Sequence, residues 1–211
     1  MQVWYLEIKR KNFCIVLSSP SGAGKTSISK ILLKKNKSLS LSISCTTRPI
    51  RKGETNNKDY VFLSNDDFDE NISKNKFIEH ANVFGFRYGT LKSTIESIFK
   101  TKKDVLFDID WQGYRQLLKS GMDVIGIFIL PPNKRELMRR LKKRDRDTDA
   151  EMKKRMSLAK REISHYLIYD YVVINENINI CVSQIQEIIN SERLKKSRQV
   201  NLNKFIKNFH N

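Results

Sequence analysis

The chain has 211 residues, enough to bury one core with small inserted subdomains but not two large domains. Hydrophobic types make up 39% and charged types 30%, the balance of an ordinary soluble globular protein, and no apolar run approaches the roughly 20 residues of a membrane span. Formal net charge is +17, which favours anionic partners, while Cys14, Cys45 and Cys181 are too few and too scattered for a disulfide framework or a zinc site.

Residues 1–13, MQVWYLEIKRKNF, lack the basic, apolar and small-residue zones of a secretory signal, and with the cysteine count this reads as a reduced, cytoplasmic protein. FCIVLS (13–18) is an apolar run that predicts a buried strand, SPSGAGKTS (19–27) a Gly-rich turn, and ISKILLKK (28–35) a helix. SLSISC (40–45) reads as a short strand leading into the basic loop TTRPIRKGE, and DYVFLS (59–64) alternates as a strand does. DDFDENISKNKF (66–77) predicts a helix, with Phe68 and Ile72 four apart and aspartates at its start. After the aromatic stretch VFGFRYGT (83–90), LKSTIESIFK predicts another helix.

DVLFDID (104–110) reads as a strand that turns acidic at its end, and VIGIFIL (124–130) as a buried strand closed by Pro131 and Pro132. NKRELMRRLKKR (133–144) is a basic amphipathic helix with Leu137 and Leu141 on one face, and 145–170 is mostly helical. YVVIN (171–175) is a last strand, and Val182, Ile185 and Ile189 place 178–189 in helical register. The basic tail carries Leu202, Phe205, Ile206 and Phe209 at helical spacing and is expected to pack back on the core. Strands alternating with helices, several continuously apolar, indicate an α/β protein with a parallel sheet covered on both faces.

Ser19-Pro20-Ser21-Gly22-Ala23-Gly24-Lys25-Thr26 fits the phosphate-loop pattern except at its first position, where serine replaces glycine. Small residues let successive N–H groups curl around a polyphosphate at the positive end of a helix. Lys25 supplies a mobile cation for the β- and γ-phosphates and Thr26 a hydroxyl for magnesium. ATP and GTP suit such a loop equally well. A transferase also needs an acceptor pocket and cations for the moving charge. Arg48 and Arg51 lie in one loop with Thr46 and Thr47, and Tyr60 and Tyr88 add phenolic hydroxyls. Asp108 and Asp110 end a strand, where ligands of open α/β sheets gather, and point to one side unless the strand has already turned. Arg140, Arg144, Arg155 and Arg161 are spaced for a helix–loop–helix lid whose guanidinium forks would close over phosphates.

Segments 17–27, 42–62, 77–90, 104–113 (DVLFDIDWQG), 127–144, 155–166 and 169–175 together resemble the guanylate kinase family. The order of TTRPIRKGE, YGT and DIDWQG is specific to it. The resemblance implies a phosphate-loop nucleoside monophosphate kinase fold over 11–190, with a GMP-binding subdomain at 43–90 and a lid at 135–165; it does not account for the basic tail at 191–211. It implies that Arg48, Arg51, Tyr60 and Tyr88 hold the GMP phosphate, with Asp108 in the GMP site beside it, while Ser44, Glu79, Thr90 and Asp110 meet guanine. Guanine presents N1–H and a 2-amino group to a carboxylate; adenine presents a lone pair, a buried mismatch that costs about 1–3 kcal/mol.

On the donor side the resemblance places ATP at Pro20, Ser21, Gly22, Ala23, Gly24, Lys25, Thr26 and Ser27, with Asn175 near the adenine. Lys25, Arg48, Arg140, Arg144 and Arg155 are its transfer residues. Mg²⁺ is the implied cofactor, at Thr26 and, through water, Asp108. ATP with GMP or dGMP are the implied substrates. Ser19 and Asp145 depart from the usual family pattern without removing a transferring group. Nucleic acid is not expected as the main partner, because the basic charge comes without a recognised nucleic-acid motif. A non-catalytic scaffold module would lack parts of the set Lys25, Thr26, Arg48, Arg51, Glu79 and Asp110, all retained here.

Overall fold

The computed structural model describes residues 9–83, 85–142 and 149–207. The chain starts in β1 (Cys14–Ser18), buried at every position. Gly22 and Gly24, at φ +88° and +102°, turn it into α1 (Lys25–Lys35), whose buried Ile28 and Leu32 lie one turn apart. β2 (Leu39–Leu41) returns to the same sheet, and the chain then leaves it.

β3 (Cys45–Thr46), β4 (Val61–Phe62), α2 (Asn65–Ser73), β5 (Phe77–Val83) and β6 (Phe86–Leu91) build a separate unit. Its four strands run in the order β4-β3-β6-β5 over a small core of Cys45, Phe68 and Phe77. Ser64 caps α2 by accepting the Asp67 N–H, and Asn75 at φ +51° follows the helix end. α3 (Lys92–Lys100) leads back to β7 (Asp104–Asp108), followed by α4 (Trp111–Lys119), β8 (Val124–Leu130), α5 (Lys134–Lys142) and α6 (Asp149–Ser164). A 3₁₀ turn over His165–Ile168, β9 (Tyr171–Ile174), α7 (Ile178–Arg193) and α8 (Leu202–Lys207) complete the described chain.

The main sheet is parallel throughout, in the order β2-β7-β1-β8-β9. Alternation along β1 divides the core: Ile15 and Leu17 join Ile28, Leu32 and Ile185 on one face, and Cys14 and Val16 join Phe107, Tyr114 and Leu117 on the other. This is the α/β architecture expected from the apolar runs. Four local readings change. SLSISC divides between the two sheets, with only Leu39–Leu41 and Cys45–Thr46 extended. DYVFLS pairs only at Val61–Phe62. The helix read over 66–77 ends at Ser73, and Phe77 instead opens FIEHANV, otherwise given no element by pattern and the longest strand of the inserted sheet. Residues 111–119, also unassigned, form α4, because the strand ends at Asp108 and Asp110 caps the next helix.

β5 is an edge strand, and α4 lies along it. Gln116 accepts the His80 N–H at 3.1 Å and donates to the His80 carbonyl at 2.7 Å, while Gln112 donates to the Asn82 carbonyl at 3.2 Å.

The tail is tied to the core through charge at Arg198, whereas none of Leu202, Phe205 and Ile206 on α8 is buried and Ile206 is 43% exposed. Arg198, 3% exposed, donates to Asp123 at 2.8 and 2.7 Å and to the Glu192 carboxylate, and its guanidinium lies 4.0 Å from the centre of the Phe13 ring. Glu192, 1% exposed, also accepts from the Tyr171 hydroxyl and pairs with Lys195. Asp104, 0% exposed, is clasped by Arg10 and Arg193. Removing one partner of a buried pair strands the other, so Arg198→Ala lowers unfolding free energy by about 3 kcal/mol, read as a lower urea midpoint at unchanged slope. Phe209 lies outside the described residues.

Candidate active site

The phosphate loop joins β1 to α1 with its geometry fixed from three sides. Gly22 packs against Leu141 and Leu137 of α5, where an added Cβ would come within 3.0 Å of the Leu141 side chain. A Cβ at Gly24 would lie 2.5 Å from the Asn175 amide nitrogen. Asn175, 4% exposed, uses that nitrogen to donate to the Ala23 carbonyl at 2.7 Å. Both glycines are thus required by positive φ and by close approach. Ser19 sits at the entrance with its hydroxyl on the Pro20 carbonyl.

Lys25 opens α1 and turns back over the carboxyl end of β7. Its ammonium lies 2.5 Å from Asp108 and donates to the Ile109 carbonyl at 3.3 Å. Thr26 and Ser27 are exposed on the first turn of α1. Arg140, from α5, donates to the Ala23 carbonyl at 3.4 Å and to the Asn175 carbonyl at 3.0 Å, with Glu136 holding its Nε at 2.7 Å. Two cations therefore flank the loop from opposite sides.

The inserted sheet carries a second cluster. Arg48 is only 5% exposed, its guanidinium 5.4 Å from the Tyr60 ring centre and 5.7 Å from that of Phe62. Both oxygens of Glu54 accept from its Nη2, at 2.8 and 3.0 Å, and Tyr88 adds a lesser upward push on the guanidinium's pKa. The Glu54 pair raises the guanidinium's affinity for its proton further and holds the Glu54 carboxyl below the usual range. Tyr60 stands edge-on to Tyr88 at 5.9 Å, and burial, with the Asp108 charge second, pushes its hydroxyl up to about 12. Arg51 is exposed at the rim and reaches this cluster through its backbone N–H, which donates to Glu54 at 2.8 Å.

Behind it lies a third group. Thr90 donates to Glu79 at 2.6 Å and exchanges a 3.3 Å hydrogen bond with Ser44. Glu79 is 3% exposed, and burial pushes its carboxyl up to about 7; Thr90 opposes the shift, and the charge of Asp110 adds to it. Asp110 accepts the Gln112 N–H at 2.9 Å and the Gly113 N–H at 3.3 Å, and its other oxygen takes the Gln112 amide. Asp108 and Asp110 thus part company: one faces Lys25, the other caps α4.

Of the lid arginines, Arg144 lies outside the described residues, as does Asp145, while on α6 Arg155 is half-buried and Arg161 exposed. Pattern gave no sign of two carboxylates that matter here. Glu54 ends the TTRPIRKGE loop, and only the loop's return brings it to Arg48. Glu162, from α6, accepts the Ser21 N–H of the phosphate loop at 3.0 Å and, through burial first of all, holds its proton more tightly than usual. A groove of about 340 Å³ lined by Ile72, Phe77, His80, Gln116 and their neighbours contains none of these groups.

Chemically, the arrangement offers a curled backbone with a lysine for a polyphosphate, a buried arginine with two phenols for a second phosphate, and paired carboxylates for a flat donor-bearing ring. Comparison with known proteins points the same way. The family described as Guanylate kinase matches residues 11–192. The chain is 44% identical over 204 residues to "Guanylate kinase" of Rhodopseudomonas palustris, covering 96% of this chain and 93% of that one. It is 46% identical over 198 residues to "Guanylate kinase" of Sphingopyxis alaskensis, covering 93% and 90%. The crystal structure of guanylate kinase from Anaplasma phagocytophilum superposes with a TM-score of 0.80 at 35% identity, covering 95% of this chain and 96% of that one. With the family pattern spanning nearly the whole chain and the phosphate loop, buried arginine and paired carboxylates in one fold, the chain belongs to the guanylate kinase family.

Proposed function

We propose that this chain carries out the guanylate kinase reaction, ATP + GMP → ADP + GDP, with the phosphate loop as donor site and the inserted sheet as acceptor site. The observation that carries the assignment is the presence in one fold of the phosphate loop, its Lys25 2.5 Å from Asp108, and of the inserted sheet's buried Arg48 and Glu79, the latter held by Thr90 at 2.6 Å. In this reading residues 43–90 form the acceptor subdomain and 135–165 the lid.

The N–H groups of 21–26 hold the donor phosphates, and Lys25 leaves Asp108 to follow the γ-phosphate as charge moves. Arg48, Arg51, Tyr60 and Tyr88 fix the acceptor phosphate in line, so that one of its oxygens bonds to the γ-phosphorus as the bond from γ-phosphorus to the β,γ-bridging oxygen breaks. The acceptor is a monoester already anionic near neutral pH, so no strong general base is needed. Arg140, Arg144 and Arg155 complete the positive shell and exclude water when the lid closes.

Thr26 and Asp108 are the hard oxygen donors that suit magnesium. Among the described residues no cluster of three His, Cys, Asp or Glu could hold a metal by itself, which fits an ion that shares its shell with phosphates and water. When bound, Mg²⁺ supplies charge neutralisation across the β- and γ-phosphates.

Glu79 and Asp110 read guanine N1–H and the 2-amino group, with Ser44 and Thr90 beside them. Glu79 accepts from guanine only when ionised, so its pH dependence has a definite sign. Affinity for GMP is full above about 7 and falls roughly tenfold for each pH unit below it. In Glu79→Gln that slope disappears, leaving only the ligand's own phosphate titration near about 6. Titration calorimetry of both proteins at several pH values checks this. The same burial opposes folding: the folded value stands above the unfolded one, so the contribution is present at low pH and lost as pH rises through about 7.

The assignment is tested by ADP-coupled turnover with ATP and Mg²⁺ against GMP, dGMP, AMP, CMP and UMP. Turnover confined to the guanine nucleotides supports it, and the dGMP arm shows whether the 2′-hydroxyl is read. Turnover mainly on AMP or UMP removes the base assignment and leaves the phosphate loop standing.

A further inference from the structure

Gly113 is the third residue of α4, in ordinary helical conformation and not among the glycines at positive φ. Alanine is the better helix former there, so backbone freedom does not account for the glycine. Its surroundings do. An added Cβ would lie 2.4 Å from Oε2 of Glu79, 3.1 Å from the carboxyl carbon of Glu79 and 3.0 Å from Ile109 Cδ1. Glu79 is held from the other side by Thr90 at 2.6 Å and is 3% exposed, so its carboxylate sits between Thr90 and the bare Cα of residue 113. The N–H of Gly113 meanwhile donates to Asp110 at 3.3 Å. One residue thus lies beneath one acidic side chain and hydrogen-bonds the other.

We propose that Gly113 is a specificity-determining positioning residue: its missing side chain is the seat in which the Glu79 carboxylate faces the base. The inference rests on the reading that Glu79 meets guanine. A methyl group at 113 displaces the carboxylate, the far end of a flexible side chain, more readily than the helix backbone. The displaced group loses its bond to Thr90 and its alignment with N1–H and the 2-amino group. The phosphate loop touches neither Glu79 nor Thr90 and meets Ile109 at its carbonyl, through Lys25, and not at the side chain beside residue 113, so donor binding is spared.

The test is steady-state kinetics of Gly113→Ala with GMP and with inosine monophosphate, which lacks the 2-amino group, alongside ATP titrations. The expected result is a KM for GMP raised roughly 10–100-fold, a preference for GMP over inosine monophosphate largely lost, and a KM for ATP within about twofold of the parent. Glu79→Asp shortens the side chain and vacates the seat. Gly113→Ala in that background therefore adds little, and the two costs are strongly non-additive.

If Glu79→Gln and Glu79→Asp leave the KM for GMP unchanged, the base-recognition reading falls, and this inference falls with it. If those variants weaken GMP while Gly113→Ala keeps parental affinity and selectivity, the inference alone is overturned. It is equally overturned if Gly113→Ala lowers kcat and the thermal midpoint and raises both KM values together in either background. Should the single variant fail to fold, a folded double variant matching Glu79→Asp supports the seat, and failure of both overturns it.

Discussion

Lys25→Ala lowers kcat about a thousandfold, on the order of 4 kcal/mol of transition-state stabilisation, with much smaller changes in either KM. The lysine is the mobile cation of the phosphate loop. It stands 2.5 Å from Asp108, and its side chain is 20% exposed, so it is held at the mouth of the site and not locked in the core. Its interaction with the γ-phosphate strengthens as charge shifts between bridging and peripheral oxygens, which puts the loss in kcat. Asp108 retains 25% exposure and is solvated when its partner goes, so folding stability changes little. Single-turnover kinetics with saturating substrates, together with a thermal melt, separate this outcome from misfolding. A loss confined to the KM for ATP would mean that the lysine serves only in binding.

Arg48→Ala raises the KM for GMP by about 10²–10³-fold, the range expected when one member of a buried, hydrogen-bonded charge pair is truncated. Arg48 is buried against Tyr60 and Phe62 and already pinned by Glu54, so its fork is preorganised before any ligand arrives. Arg48→Lys recovers little, because an ammonium lacks the flat fork that serves Glu54 and a phosphate oxygen at once. Arg51 is exposed, and truncating it costs far less. Titration of GMP into both variants measures the contrast. Equal effects at the two positions would show that the cluster acts through net positive charge and not through geometry.

The sequence was most legible where one physical demand acted alone. Residues 13–18 and 124–130 read as strands because parallel strands buried on both faces are apolar throughout, and the glycines of 22–24 announce a turn that only close approach explains. β5 was hidden because its inward side alternates Phe77 with Glu79, so that a functional carboxylate interrupts the apolar face. α4 was hidden because it begins directly where a strand ends, with Asp110 serving as cap instead of continuing the strand. The types and spacing of Arg48, Arg51, Tyr60 and Tyr88 pointed to an acceptor phosphate, whereas the base-facing role of Glu79 and Asp110 came only from the family resemblance. Which groups hold them did not follow from spacing, since Glu54, Thr90 and Glu162 reach their partners only through tertiary packing. Arg144, central to the lid expectation, lies outside the described residues.

Gln116 bears on a different hazard. Its amide accepts the N–H and donates to the carbonyl of the same residue, His80, the pair of bonds that an added antiparallel strand would form. Together with Gln112 on the Asn82 carbonyl, it occupies the outward edge of β5 with side chains fixed on a helix. An open edge invites pairing with another chain and is a common route to aggregation. Here the strand that carries Glu79 is sealed against recruitment by the helix that Asp110 caps.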